Sequence, residues 1–313
     1  MALKESEGTD KELHNVVLAA KSGYFVRTAR AVYALVFLLP FIVLYEALVF
    51  LVNPQLLSEP VSNVRGAVVS FVWVQNFLHY LGMDTKVAWF FAPVVIIVIL
   101  LMIQLASRQS WKVKFADIPV MAAECLIFAI PLIILALVLN RAPNQQQSAV
   151  NNFDTVITCS ANSSDVADEN QNNQSGSNSQ ETYVNLHRGN IAMDLLTGIG
   201  AGIYEELIFR LILIGLSMFF FETVLGIRHV KAVIISVIIS SVLFSLHHHF
   251  VFLNGQFTRT ADIFTMARFT FRTIAGVFFA IIFAVRGFGI AAGTHAFYDI
   301  IATLLNAWLF GQC

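Results

Sequence analysis

Residues 200–215 read GAGIYEELIFRLILIG, apolar for the length of a helix except at Glu205, Glu206 and Arg210. An ionisable side chain at the centre of a membrane-spanning helix costs roughly 2.5–3.5 kcal/mol on insertion scales, so each one points to a function or a dedicated partner. Glu206 and Arg210 stand at i,i+4 and share a helix face, so they can pair. Glu205 is turned about 100° from its neighbour and must answer to something else. A structural ion pair joining two helices accounts for Glu206 and Arg210 as well as any chemistry does. It gives no reason for Glu205.

The rest of the chain makes this run a membrane span. Of 313 residues, 57% are hydrophobic and 12% charged, where an average soluble domain carries about 25% charged residues. Apolar stretches at 29–52, 87–106, 118–139, 193–220, 231–250, 264–285 and 288–310 reach the roughly 20 residues a helix needs to cross a bilayer. Residues 63–82 are less apolar, carry Gln75, Asn76 and His79, and read as interfacial or re-entrant. The expected fold class is all-α, a polytopic transmembrane bundle of about seven to eight helices.

The composition divides the chain further. Residues 1–28 are a polar tail with an amphipathic stretch, and no secretory signal peptide is expected there. Residues 29–140 form an N-terminal helical half. Residues 141–189 are rich in Asn, Gln and Ser, cannot bury enough apolar surface to order themselves, and read as a disordered external loop. Residues 190–313 form the C-terminal bundle. Lys4, Lys11, Lys21, Arg27 and Arg30, with Arg108, Lys112 and Lys114 in a short loop, place the N-terminus and that loop on the cytoplasmic side. If 63–82 does not cross, the C-terminus lies outside. The formal charge of −1 gives no reason to expect nucleic acid, and the partner implied is the lipid bilayer. Cys125, Cys159 and Cys313 form neither a metal cluster nor a disulfide framework.

Two more polar groups interrupt apolar spans. VLFSLHHHF places His247, His248 and His249 at a span's end, where consecutive side chains diverge by about 100° and at most two can face the bundle. Phe244 stands at i−4 from His248 and shares its face. AAGTHAFYDI places His295 and Asp299 at i,i+4, where a carboxylate can orient an imidazole. Each group alone is explained as a hydrogen-bonded pair between helices. Together they call for one shared polar cavity. Gly198, Gly200, Ala201 and Gly202 before the first motif, and Ala291, Ala292 and Gly293 before the third, allow helices to approach closely.

In this order EELIFR (205–210), FSLHH (244–248) and HAFYD (295–299) resemble the EExxxR, FxxxH and HxxxN/D motifs of the CPBP intramembrane proteases, which include the type II CAAX prenyl endopeptidases and the Abi-type proteins. The resemblance covers about 190–310. It implies a peptidase acting on membrane-anchored peptide or protein substrates. Glu205 and His248 would activate a water, His295 and Asp299 would support the oxyanion, and Glu206 with Arg210 would hold the first helix in register. No HExxH is present, yet glutamates and histidines can hold zinc with an open position, and Glu205, His248 and His295 are the candidate ligands. Two other readings compete. Glu46, Glu124, Arg268 and Arg272 would belong to the ion path of a transporter or proton-coupled protein, or the fold would serve as a non-catalytic immunity or scaffold protein.

Overall fold

The computed structural model describes residues 23–52, 68–140, 179–253, 256–259 and 264–310. The external loop up to residue 178 and the first 22 residues of the tail lie outside them, as do Cys159 and Cys313. The described residues form α1 (Tyr24–Thr28), α2 (Ala31–Val52), α3 (Val69–Tyr80), α4 (Thr85–Ser107), α5 (Asp117–Asn140), α6 (Ser179–Glu206), α7 (His229–His247), a hairpin of β1 (Phe250–Leu253) and β2 (Gln256–Arg259), α8 (Met266–Arg286) and α9 (Phe288–Phe310). α6 continues unbroken through a π-helical stretch, Leu207–Ile214, five α-helical residues, Gly215–Phe219, and a second π stretch, Phe220–Val224.

Among the described residues seven helices are long and apolar enough to cross a bilayer, and apart from the short β1–β2 hairpin the protein is a helical, multi-pass membrane bundle. α2, α4 and α5 carry Pro40, Pro93 and Pro131 in their interiors. Transmembrane helices tolerate this because neighbours re-satisfy the freed carbonyls. α3 has 12 residues and spans about 18 Å, short of the roughly 30 Å hydrocarbon core.

One end of the bundle shows how the spans alternate. The Val32 amide, at the start of α2, donates to Gln104 Oε1 at the end of α4 (3.1 Å). α2 therefore leaves this end and α4 returns to it, so α3 lies between two opposed spans without crossing. The same end holds two ionic clusters. Arg27 pairs with Asp117 at 3.1 Å, and the Tyr33 hydroxyl donates to Asp117 at 3.0 Å. Arg286, at the end of α8, pairs with Glu124 of α5 and donates to Thr28 Oγ1 (2.9 Å) and the Phe25 carbonyl (2.8 Å). Tyr24 also donates to Glu124 (2.8 Å). Burial first, then that carboxylate, push the Tyr24 phenol above its ordinary value. Thus α1, read from sequence as the end of a polar tail, is docked by its backbone, a tyrosine and an arginine.

Two boundaries differ from the sequence reading. α6 begins at Ser179, so residues 179–189 of the stretch read as loop are helical. No Gly or Pro interrupts 179–188, and extending an existing helix is far cheaper than nucleating one. The seventh helix stops at His247, and a hairpin follows. Its strands are separated by Asn254-Gly255, the strongest two-residue hairpin signal.

Candidate active site

α9 packs more extensively against α6 than any other helix pair does, and its geometry sets the site. Gly198 and Gly202 lie one turn apart on the contact face of α6. A Cβ at Gly202 would fall 2.4 Å from the Ala296 nitrogen, and one at Gly198 would fall 2.8 Å from the Asp299 Cβ. Only hydrogen at these positions lets the backbones come this close. The approach sets Glu205 and Glu206, one turn further along α6, beside His295 and Asp299 of α9. The π-helical stretch starts at the next residue, Leu207. Such widened turns recur at functional sites.

Glu206 and Arg210 pair at 3.1 Å with both side chains fully buried. The guanidinium lies over the Phe244 ring, 4.1 Å from its centroid, and donates to the Gly276 carbonyl at 3.4 Å. Glu206 Oε1 also accepts from His295 Nδ1 (2.8 Å). The ion pair therefore does two things: it neutralises a buried carboxylate and orients an imidazole. The His295 ring is stacked on Phe279, with centroids 4.5 Å apart and planes at 17°. Its Nε2 is 3.5 Å from Asp299 Oδ2 and 4.0 Å from Glu205 Oε2.

Glu205 faces away from Arg210, toward the imidazoles. His247 Nε2 is 3.5 Å from its Oε1, and His248 Nε2 is 3.9 Å from its Oε2. Both histidines donate Nδ1–H to one carbonyl, that of Phe244, at 2.7 and 2.9 Å. This fixes both tautomers and turns both Nε2 atoms toward Glu205. The Phe244 ring meets His248 edge-on at 5.0 Å, as their shared face requires. His249 is buried elsewhere, against Phe264 at 5.0 Å.

All six residues singled out from the sequence come together here. His247 is the addition. Motif spacing selects His248 and passes over His247, but a helix ending at this point lets two successive rings share one i−3/i−4 carbonyl. The three donors that approach within 4.8 Å of one another are Glu205, His247 and His248. Among the described residues that group holds His247 and not His295, the third candidate ligand from the sequence. One carboxylate and two neutral imidazoles suit zinc with an open position, and Glu205 Oε2 is buried without a hydrogen-bond partner among the described residues. The residues present fit a metal.

The seven apolar spans and a buried cluster of carboxylates and imidazoles define a membrane protein with a polar site inside its bundle. Residues 187–301, which contain Glu205, Glu206, Arg210, His247, His248, His295 and Asp299, match the family model described as type II CAAX prenyl endopeptidase Rce1-like. That stretch is similar to the CAAX/CPBP proteases, the family its three motifs also resemble. No curated protein and no solved structure matches the chain.

Proposed function

We propose that the protein is an intramembrane endopeptidase that hydrolyses a peptide bond of a membrane-anchored substrate with water activated at Glu205. The observation that carries this reading is the convergence on one buried carboxylate of imidazoles from two other helices, α7 and α9. A water beside Glu205 Oε2 would give one proton to that carboxylate and a hydrogen bond to His248 Nε2. Its oxygen would attack the carbonyl carbon. A protonated His295 would donate Nδ1–H to Glu206 and Nε2–H to the developing oxyanion. When the C–N bond breaks, the proton on Glu205 passes to the leaving amine. Asp299, at i+4 with Oδ2 3.5 Å from the same Nε2, would offset the charge of the imidazolium. A bound zinc ion, held by Glu205, His247 and His248, would supply a water of lowered pKa.

The residue set also bears on the competing readings. A scaffold that only kept the fold would have no use for a carboxylate and three imidazoles all facing one point, which is costly to bury. The cytoplasmic placement of the N-terminus rests on the basic loop Arg108–Lys114 and is part of the proposal. The test is a cleavage assay on purified protein in nanodiscs with membrane-anchored peptides, products identified by mass, with and without chelator. New peptide termini that appear with wild type and not with Glu205→Gln support the reading. Equal product from both would refute it.

A further inference from the structure

We propose that the loop between α4 and α5, residues 108–116, binds anionic lipid headgroups at the end of the bundle where α1 docks. The loop joins two spans, so it lies where hydrocarbon gives way to headgroups. Trp111 and Phe115 are 51% and 75% exposed, and Arg108, Lys112 and Lys114 are exposed beside them. Its backbone is held in place. Gln104 is buried, and its Nε2 donates to the carbonyls of Gln109 (3.0 Å) and Ser110 (3.5 Å) while its Oε1 accepts from Val32 of α2. The Lys114 amide donates to the Tyr33 hydroxyl at 3.0 Å. The aromatic rings and cations are thus carried on a loop fixed at both ends.

Arg108 supplies an independent observation. Its φ is +51°, and among the described residues no other non-glycine residue has a positive φ. Glycine is the usual residue at this place just after a helix, because a side chain makes the left-handed region costly. An arginine kept there points to a use for its guanidinium.

The charge at this end is not answered from within the protein. α6 runs toward it, because Gly198 and Gly202 meet Asp299 and Ala296 in reverse order along α9, which starts beside Arg286. Arg228 and Lys231, exposed at the start of α7, therefore lie at this end as well. Among the described residues the carboxylates here are Asp117, Glu124 and Glu222, and they face Arg27, Arg286 and His229. The exposed cations are left to a partner outside the chain. A lipid sets an anionic phosphate and an apolar chain at adjacent depths, which matches cations beside exposed rings better than a soluble anion does.

The test places the full-length protein in phosphatidylcholine nanodiscs with a rising share of acyl-brominated phosphatidylglycerol or acyl-brominated phosphatidylcholine. Bromine quenches a nearby indole, and subtracting the signal of the matching Trp111→Phe protein isolates Trp111. Half-quenching should need about 100-fold less brominated phosphatidylglycerol, three cations at about fivefold each. Lys112→Gln and Lys114→Gln should each lower that preference about fivefold. Arg108→Gly should lower it equally and melt no earlier than wild type, since glycine relieves the backbone. Arg228→Gln with Lys231→Gln should leave the preference intact. Equal quenching by the two lipids in wild type overturns the proposal. So does an equal loss in the Arg228 and Lys231 variant, which would reduce the effect to the net charge of this end. A preference abolished by inorganic phosphate would make the loop a site for soluble anions, and an Arg108→Gly protein that melts earlier would overturn the role given to Arg108.

Discussion

Substituting Gly202 by alanine should separate the two helices that make the site. The added Cβ would sit 2.4 Å from the Ala296 nitrogen and 2.6 Å from its Cα. Both are backbone atoms in the middle of a helix, so no rotamer change relieves the clash. Ordinary contact begins at 3.4 Å, and the helices must part by about 1 Å to reach it. His295 Nδ1 and Glu206 Oε1, now 2.8 Å apart, would then stand at about 3.8 Å, beyond hydrogen-bond range. A displacement of about 1 Å at reacting groups can cost about 100-fold in rate, and overpacking a close contact costs about 1–3 kcal/mol. Gly202→Ala should therefore insert and fold, melt earlier in detergent, and lose about two orders of magnitude in kcat. Gly215→Ala is the control, because a Cβ there meets nothing within 4 Å. Wild-type kcat and melting temperature in Gly202→Ala would refute the claim that this joint sets the distances of the site.

Other substitutions test other parts of the arrangement. Glu205→Gln should abolish cleavage while the protein still inserts and folds, since Arg210 pairs with Glu206 and not with Glu205. Arg210→Met should destabilise by about 3–5 kcal/mol, because it leaves Glu206 charged and buried, and Arg210→Met with Glu206→Gln should recover much of that in the same melts. Asp299→Asn should stay within roughly tenfold of wild type, about 1.4 kcal/mol in barrier, because asparagine still accepts from an imidazole, whereas Asp299→Leu should be far worse. If asparagine is as damaging as leucine and bound metal is lost with it, the charge itself is essential. Replacing about residues 155–180 with a short Gly/Ser linker should leave the bundle assembled and active, as size-exclusion profiles and turnover would report.

The spans were legible because twenty apolar residues leave little choice of structure, and their boundaries agree with the helices to within a few residues except at α6 and α7. The site was legible where charge violates that apolar rule: each of the six residues chosen on that basis lies in the cluster. His247 was missed because spacing arguments assume that the helix continues, and here it ends at the residue in question. The signal available was the Asn254-Gly255 pair a few residues on, which requires the chain to leave helical geometry first. The π-helical stretch after Glu206 left no trace in the sequence pattern, since LIFRLILI is as apolar as an α-helical span. Docking of α1 was hidden for a different reason. Arg27 reads as one of several basic residues in a polar tail, and its partner, Asp117, lies 90 residues away.

The remaining intramembrane charges weigh against an ion path. A transporter needs its ionisable groups in a file, each within reach of the next and able to exchange partners. Glu46 accepts from the Tyr204 hydroxyl at 2.9 Å on one face of α6, while Glu205, the next residue after Tyr204, faces the imidazoles on another. Glu124 is taken by Arg286 and Tyr24 at the end of the bundle where α1 docks, in a group that also holds Thr28 and the Phe25 carbonyl. These contacts join helices: α2 to α6 in the first case, and α1, α5 and α8 in the second. Phe37 and Cys125 pack against Gly293 in the apolar core of the bundle. A peptide reaching Glu205 need only pass the more open side of the cluster, where His248 and Asp299 are 15% and 22% exposed.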